Sequence, residues 1–156
     1  MKQKQIIGRV DYADFPLLNL GQMPVKIDTG AFGCSMHCEH IEEKIVDAQS
    51  KLVVTLSHPA SNDSEKFTFH TSEYWTKKVK SSSGISEERY FIKTEVTLFN
   101  TAYEIELSLT NRNNMKYPVL LGRNLLSKNF LVDTSRTFLS HKKLNLANDK
   151  GQTLST

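Results

Sequence analysis

The sequence predicts an all-β fold with one short helix near its C-terminal end, and three observations carry that prediction. Residues 102–109 alternate strictly, with Tyr103, Ile105, Leu107 and Leu109 set against Glu104, Glu106 and Ser108, the period of a half-buried antiparallel strand. Residues 51–56, rich in Val and Leu, and residues 66–71, which place Phe67 and Phe69 opposite Thr68 and His70, repeat the strand signal. Residues 117–126 form an apolar strand that breaks at Gly122 and turns into a helix over 124–126. A chain of 156 residues is long enough for one domain with its own core, and no shift of composition divides it.

Taken in order, the chain opens with a strand from residue 5, a turn around 11–14 and a second strand over 15–20. Gly21-Gln22 then turns into a strand over 23–27 that delivers Asp28, so an incoming hairpin points at the segment that follows. Residues 34–40 mix apolar and polar side chains, and the period of 41–50 stays open between helix and strand. Beyond 51–56, residues 58–65 carry Pro, Asn, Asp and Ser and are expected as a loop. Strands over 66–71, 73–79 and 89–98 follow, the last two joined by a turn over 81–86 that contains Gly84. Asn100-Thr101 turns into 102–109, residues 111–114 form a turn, and 119–121 lead into Gly122 and the helix. Residues 130–132 and 138–140 are the last strands expected. The domain is placed at 1–144, with 145–156 a polar tail expected to be disordered.

With 20 basic against 17 acidic residues the net charge is +3, and the basic residues are scattered apart from Lys77, Lys78 and Lys80 and the pair Lys142-Lys143. That pattern argues against nucleic-acid binding, which favours a basic stripe interleaved with aromatics. No stretch approaches the ~20 apolar residues of a membrane span, and the start of the chain lacks the apolar core of a signal peptide. Two cysteines make no disulfide framework. A cytoplasmic location is therefore expected, with no membrane partner.

The candidate site is Asp28-Thr29-Gly30-Ala31 at the end of the apolar strand 23–27. Gly30 permits a sharp turn and close approach of a substrate or second chain, and the Thr29 hydroxyl can anchor the loop to neighbouring backbone. The tripeptide is also an ordinary turn; the late segment Gly122-Arg123-Asn124-Leu125-Leu126 makes it more specific. An acid loop early and an apolar-apolar-Gly-Arg-Asn segment late, separated by strand-like sequence, resemble the retroviral aspartic proteases, the retropepsins. Over most of the chain the resemblance narrows to a bacterial and archaeal retropepsin-like family long labelled ATP-dependent zinc proteases. The matching residues are Ile7-Gly8-Arg9-Val10, Lys26 to Ala31, His37, Arg89, Leu109-Thr110-Asn111-Arg112, Met115, residues 117–125 and Phe130-Leu131-Val132-Asp133. The label finds no support in the residues, for the chain has neither a phosphate-binding Gly-rich loop nor a His-Glu-x-x-His pair.

The resemblance implies a closed barrel of the aspartic-protease type, a homodimer, a peptide substrate and no cofactor. It assigns Asp28 as the catalytic carboxylate, Thr29, Gly30 and Ala31 to its loop, His37 and Arg112 to the cleft, Gly84 to a flap over 80–88, and Gly122, Arg123 and Asn124 to the structural core of the dimer. A structural hydrogen bond is the favoured reading of a lone histidine such as His37, and a plain surface hairpin stays open for 80–88. Two carboxylates sharing a water about 3 Å apart cannot both ionise, so one accepts a proton and the other donates one. A chain with one Asp-Thr-Gly supplies half of that pair, and a two-fold axis supplies the rest. Asp133 is a poor internal second acid because Ser135 stands where the turn needs glycine; it is expected to cap or pair locally. In retropepsins the arginine matching Arg123 pairs with an acid just past the catalytic loop. Here that position is Phe32, so Arg123 needs another partner. Cys34 stands where the family usually has Ser.

Two other classes stay open. A binding module of the same fold would hold peptides without turnover. A zinc peptidase would use Cys34, His37, Cys38 and His40, although four donors within seven residues are crowded for the separated pairs that usually clamp a tetrahedral ion.

Overall fold

Strand follows strand through most of the chain. In the computed structural model, residues 3–59, 66–80, 83–111 and 116–154 are described, those from 147 by backbone alone. The strands are β1 (Gln5–Ile7), β2 (Val10–Phe15), β3 (Leu20–Ile27), β4 (Cys34–His37), β5 (His40–Val46), β6 (Gln49–Leu56), β7 (Phe67–Thr71), β8 (Tyr74–Lys80), β9 (Ser86–Leu98), β10 (Thr101–Thr110) and β11 (Val119–Leu121). Helix α1 (Arg123–Asn129), strand β12 (Phe130–Val132) and helix α2 (Leu139–Leu154) complete the order.

Six of these strands close on themselves in the order β10-β4-β11-β3-β2-β9, with β9 returning to β10, and β8 extends the sheet from the far edge of β9. Two contacts in the ring are parallel: β11 lies beside β3 with Val119 opposite Val25, and β10 beside β4 with Leu107 opposite Cys34. The remaining contacts of the ring are antiparallel. A separate three-stranded sheet, β5-β6-β7, packs Leu52, Val54 and Leu56 into the same core as Phe15, Met23, Val25, Met36, Ile92, Leu107 and Leu121. Each large side chain fully withdrawn from water stabilises the fold by about 1.5–3 kcal/mol.

The all-β barrel agrees with the sequence-based expectation, and several local elements depart from it. Residues 11–14 form the middle of β2 rather than a turn, and 15–20 do not make a strand. Pro16 opens a 3-10 turn over Pro16–Leu18, and Asn19, at φ 55°, ends it in the left-handed region before β3 begins. Residues 41–50, left open, resolve as the β5–β6 hairpin, whose loop residues Asp47 and Ala48 both have positive φ. Phe99 and Asn100 repeat that geometry between β9 and β10, one residue earlier than expected. A two-residue turn with both φ values positive matches the twist of its flanking strands. Along β10 the expected alternation holds through Glu106, after which Ser108 and Thr110 are buried too, where β10 runs between β9 and β4.

The largest correction is at the C-terminal end. Residues 138–140 are not a strand: the chain enters α2 at Leu139, and the polar segment from Asn145 lies on that helix as far as Leu154. The described residues therefore form two α-helices instead of one. The start of α2 is set by Asp11, a fully buried acid on β2. Its Oδ2 accepts the N–H of Ser140 at 2.9 Å, and its Oδ1 accepts those of His141 at 3.2 Å and Tyr12 at 2.8 Å. Ser140 in turn takes the Phe99 N–H on its hydroxyl at 2.8 Å, and Phe138 stacks on Tyr12 with ring centroids 5.0 Å apart. Gly8 is required beside this junction, because a Cβ there would lie 2.3 Å from the Arg136 carbonyl oxygen.

Burial pushes the Asp11 carboxyl above its ordinary value, outweighing the pull of the Ser140, Tyr12 and His141 N–H groups and of the His141 charge. The folded chain holds this proton more tightly than the unfolded chain. The stability from Asp11 is therefore full below the unfolded value of about 3.9 and is lost as pH rises through the raised folded value. Asp11→Asn should remove that loss. In denaturant titrations from about pH 4 upward, the wild-type chain should lose stability relative to the variant; curves that stay parallel would show that burial does not govern this carboxyl.

Candidate active site

Asp28 is carried to the end of β3 and held there by its own backbone, whose N–H donates to the Leu121 carbonyl of β11 at 2.9 Å. The chain then folds back tightly. The Gly30 N–H donates to Asp28 Oδ1 at 3.0 Å and the Ala31 N–H to the Asp28 carbonyl at 3.3 Å. One carboxylate oxygen is thus tied into the loop, while Oδ2 takes no hydrogen bond among the described residues. Gly30 fits the close approach: a Cβ there would stand 3.3 Å from Oδ1. Asp28 itself is half-buried, and Thr29 and Gly30 are exposed.

The loop rests on the start of α1. Gly122 makes this possible, since a Cβ at that position would meet the Gly33 carbonyl oxygen at 2.3 Å and the Ala31 carbonyl oxygen at 2.7 Å. With no side chain in the way, the Arg123 N–H donates to Ala31 O at 2.9 Å and the Asn124 N–H to Phe32 O at 2.8 Å. These two donors are among the first-turn N–H groups that a helix leaves unpaired, so the loop carbonyls serve as the cap of α1. Arg123 then reaches across with Nη1 to the Thr29 carbonyl at 3.0 Å. The Cys34 thiol points at Asn124 Oδ1 from 3.4 Å, and burial pushes that thiol up from its ordinary value.

The residues singled out from sequence fare differently. Asp28, Thr29, Gly30, Ala31, Gly122, Arg123 and Asn124 are brought together. The anchor from Thr29 is its carbonyl, not its hydroxyl, and Arg123 is exposed, so its partner is one backbone oxygen instead of a buried acid. His37 ends β4, the far end from the loop; its N–H donates to the Pro118 carbonyl at 2.7 Å. Gly84, at φ +85°, sits in the turn between β8 and β9, and no hydrogen bond or ion pair among the described residues joins it to the Asp28 loop. Arg112 and residues 81 and 82 of the expected flap lie outside the described residues. Asp133 pairs locally, accepting the Ser135 N–H at 3.0 Å and its hydroxyl at 2.5 Å. Those bonds, together with Arg136, hold its carboxyl below the ordinary range.

The four sulfur and imidazole donors do not converge. Cys34 and Cys38 are four residues apart along an extended chain, about 13 Å at the rise of a strand, whereas zinc–sulfur bonds are about 2.3 Å. Both thiols are buried, Cys38 being pushed up to about 12 by that burial, and the His40 ring is bonded to Glu42 at 2.9 Å. Among the described residues no group of three His, Cys, Asp or Glu side chains is placed to hold a metal ion.

Sequence reasoning missed what ties the β8–β9 hairpin to the extra sheet. Tyr74 on β8 shares a 2.8 Å hydrogen bond with Ser50 on β6, and Tyr90 on β9 donates to Glu43 on β5 at 2.8 Å. The Glu43 carboxylate holds the Tyr90 hydroxyl above its ordinary value. Tyr and Ser in facing strands were the visible signal, but their pairing depends on a hairpin whose period was ambiguous.

A closed six-stranded barrel whose Asp-Thr-Gly loop is seated on a Gly-Arg-Asn helix start defines a retropepsin-like protein. A family model described as the RimB-like retropepsin-like aspartic endopeptidases matches residues 6–143, and the chain belongs to that family. Similar curated proteins include one from Shewanella pealeana named probable alpha-L-glutamate ligase, 35% identical over 141 residues, which cover 90% of this chain and 31% of that protein. Another of the same name, from Parasynechococcus marenigrum, is 33% identical over 134 residues, covering 85% of this chain and 28% of its own length. The chain thus spans under a third of the length of these relatives. The crystal structure of a Legionella pneumophila protein of unknown function (DUF785) superposes with a TM-score of 0.70 at 28% identity, covering 88% of this chain and 99% of the other.

If Gly122 is what lets the loop settle on α1, Gly122→Ala should cost about 2–3 kcal/mol of stability through overpacking against two carbonyl groups. Urea unfolding measures this directly. An unchanged midpoint would show that the loop can move aside without loss.

Proposed function

We propose that the protein is an aspartic peptidase in which the Asp28 carboxylates of two copies share a water at a two-fold axis. The observation that carries this reading is the presentation of Asp28: one carboxylate oxygen is fixed by Gly30 and the other takes no protein hydrogen bond among the described residues, on a loop held by Leu121, Arg123 and Asn124. In the proposed reaction the ionised Asp28 takes a proton from water while the water oxygen bonds to the peptide carbonyl carbon. The protonated Asp28 of the second copy gives its proton to the carbonyl oxygen. The tetrahedral species then returns a proton to a carboxylate, the nitrogen is protonated, and the C–N bond breaks to release acid and amine. No acyl-enzyme forms.

The proposed substrates are peptides containing glutamate, since the chain matches part of proteins named for glutamate ligation. A cytoplasmic location is proposed as well, in keeping with two free thiols buried in the barrel. Among the described residues no helix is long and apolar enough to cross a membrane.

Light scattering on wild type and Asp28→Asn, paired with cleavage of a mixed peptide library between about pH 4 and 7, tests the proposal. A dimer for both proteins, with cleavage by wild type alone, is the expected result. A monomer that cuts nothing would leave a peptide-binding module, and cleavage that survives Asp28→Asn would assign the chemistry elsewhere.

A further inference from the structure

One cavity of the described surface lies away from Asp28, which is not among its lining residues. A cavity of about 510 Å³ lies between β1, the segment entering α2 and the first turns of that helix. Its walls carry three cations, Lys4, Arg136 and Lys143, and its apolar floor is made by Ile6, Phe99 and Leu139. The other two lining residues are neutral glutamines, and among the described residues no acidic side chain lines it. The three cations are exposed, and Lys143 Nζ stands 5.8 Å from the centroid of the Phe99 ring. Asp133, whose carboxylate is bound to Ser135, is the acid that interacts with Arg136, and it lies outside the cavity lining.

Sequence alone scatters these charges across residues 4, 136 and 143; the β1–β12 pairing and the docking of α2 on β2 gather them. Like charges brought together repel one another, and an anionic ligand relieves that repulsion. A carboxylate-rich peptide fits both halves of the surface: its carboxylates meet the ammonium and guanidinium groups, and its methylene stems lie against Ile6, Phe99 and Leu139.

We infer that this groove is a second binding site, for an acidic segment of an extended peptide, separate from the Asp28 loop. The inference rests on the proposed function only in taking the ligand to be a peptide, and binding here needs no cleavage. It is therefore tested in the Asp28→Asn protein, where turnover cannot obscure binding, with a fluorescent peptide of about six glutamates, roughly 20 Å when extended. Lys4→Gln/Lys143→Gln in that background should weaken binding about tenfold, the scale of two lost exposed ion pairs. Lys78→Gln, which removes one exposed charge on β8 outside the cavity lining, should leave affinity unchanged. Thermal unfolding of each variant reports on folding. Equal affinity in the double variant, equal weakening by Lys78→Gln, or binding of a single-stranded oligonucleotide as tight as that of the peptide would each overturn the assignment. A peptide that fails to bind the Asp28→Asn protein at all would overturn it too, without touching the proposal that Asp28 cleaves peptides.

Discussion

Two stretches of backbone separated by some ninety residues come so close at Gly122 that no side chain fits between them, with Gly33 O at 2.3 Å and Ala31 O at 2.7 Å from a Cβ. The site follows from that closeness. Parallel pairing of β3 with β11 brings Ile27 beside Leu121, so both strands end at the same level and Asp28 begins its loop where α1 begins its first turn. The loop has carbonyl groups with no strand partner, and the helix has N–H groups with no preceding turn to bond to. Each set satisfies the other. A seven-residue helix without a side-chain cap is weak by itself, and here its first turn is completed by the loop it supports.

The contrast between the two helices explains much of what sequence could and could not reveal. α1 was legible because its signals are local: an apolar strand, a glycine and a run of Leu125 and Leu126. α2 was missed because its capping acid, Asp11, lies 129 residues before Ser140. Residues around Phe138 offer no Ser, Thr, Asp or Asn in the right place to announce a helix start, and Phe138 itself adopts φ 56°. The same acid misled the reading at its own position. Asp11 and Asp14 in a short polar-looking stretch suggested a turn, but Asp11 faces inward to serve a distant helix and Asp14 Oδ1 accepts the Gln22 N–H from the next strand. Alternation, as in β6 and the first half of β10, marks a strand with one face in the core. It fails where a polar side chain is committed to a partner remote in sequence.

The Asp28 loop was legible at its acid and glycines, since their roles are steric and local. The role of Arg123 was legible only as a question. With Phe32 in place of the acid that such an arginine pairs with in retropepsins, the resemblance predicted a missing partner and could not name the replacement. In the structure the guanidinium bonds the Thr29 carbonyl, and Phe32, 68% exposed, takes no part in holding it. A carbonyl accepts a hydrogen bond but cannot neutralise the cation, so Arg123 keeps its positive charge next to the loop that presents Asp28.

That substitution separates two jobs that one ion pair would perform together. Loop geometry rests on backbone hydrogen bonds from Asp28, Arg123 and Asn124, which do not titrate and hold at any pH where the barrel is folded. Charge around the loop rests on an exposed arginine whose field is screened by water and salt. Shape and electrostatics at Asp28 can therefore change independently. Salt weakens the arginine's field without moving the loop, and overpacking at Gly122 moves the loop without changing any charge.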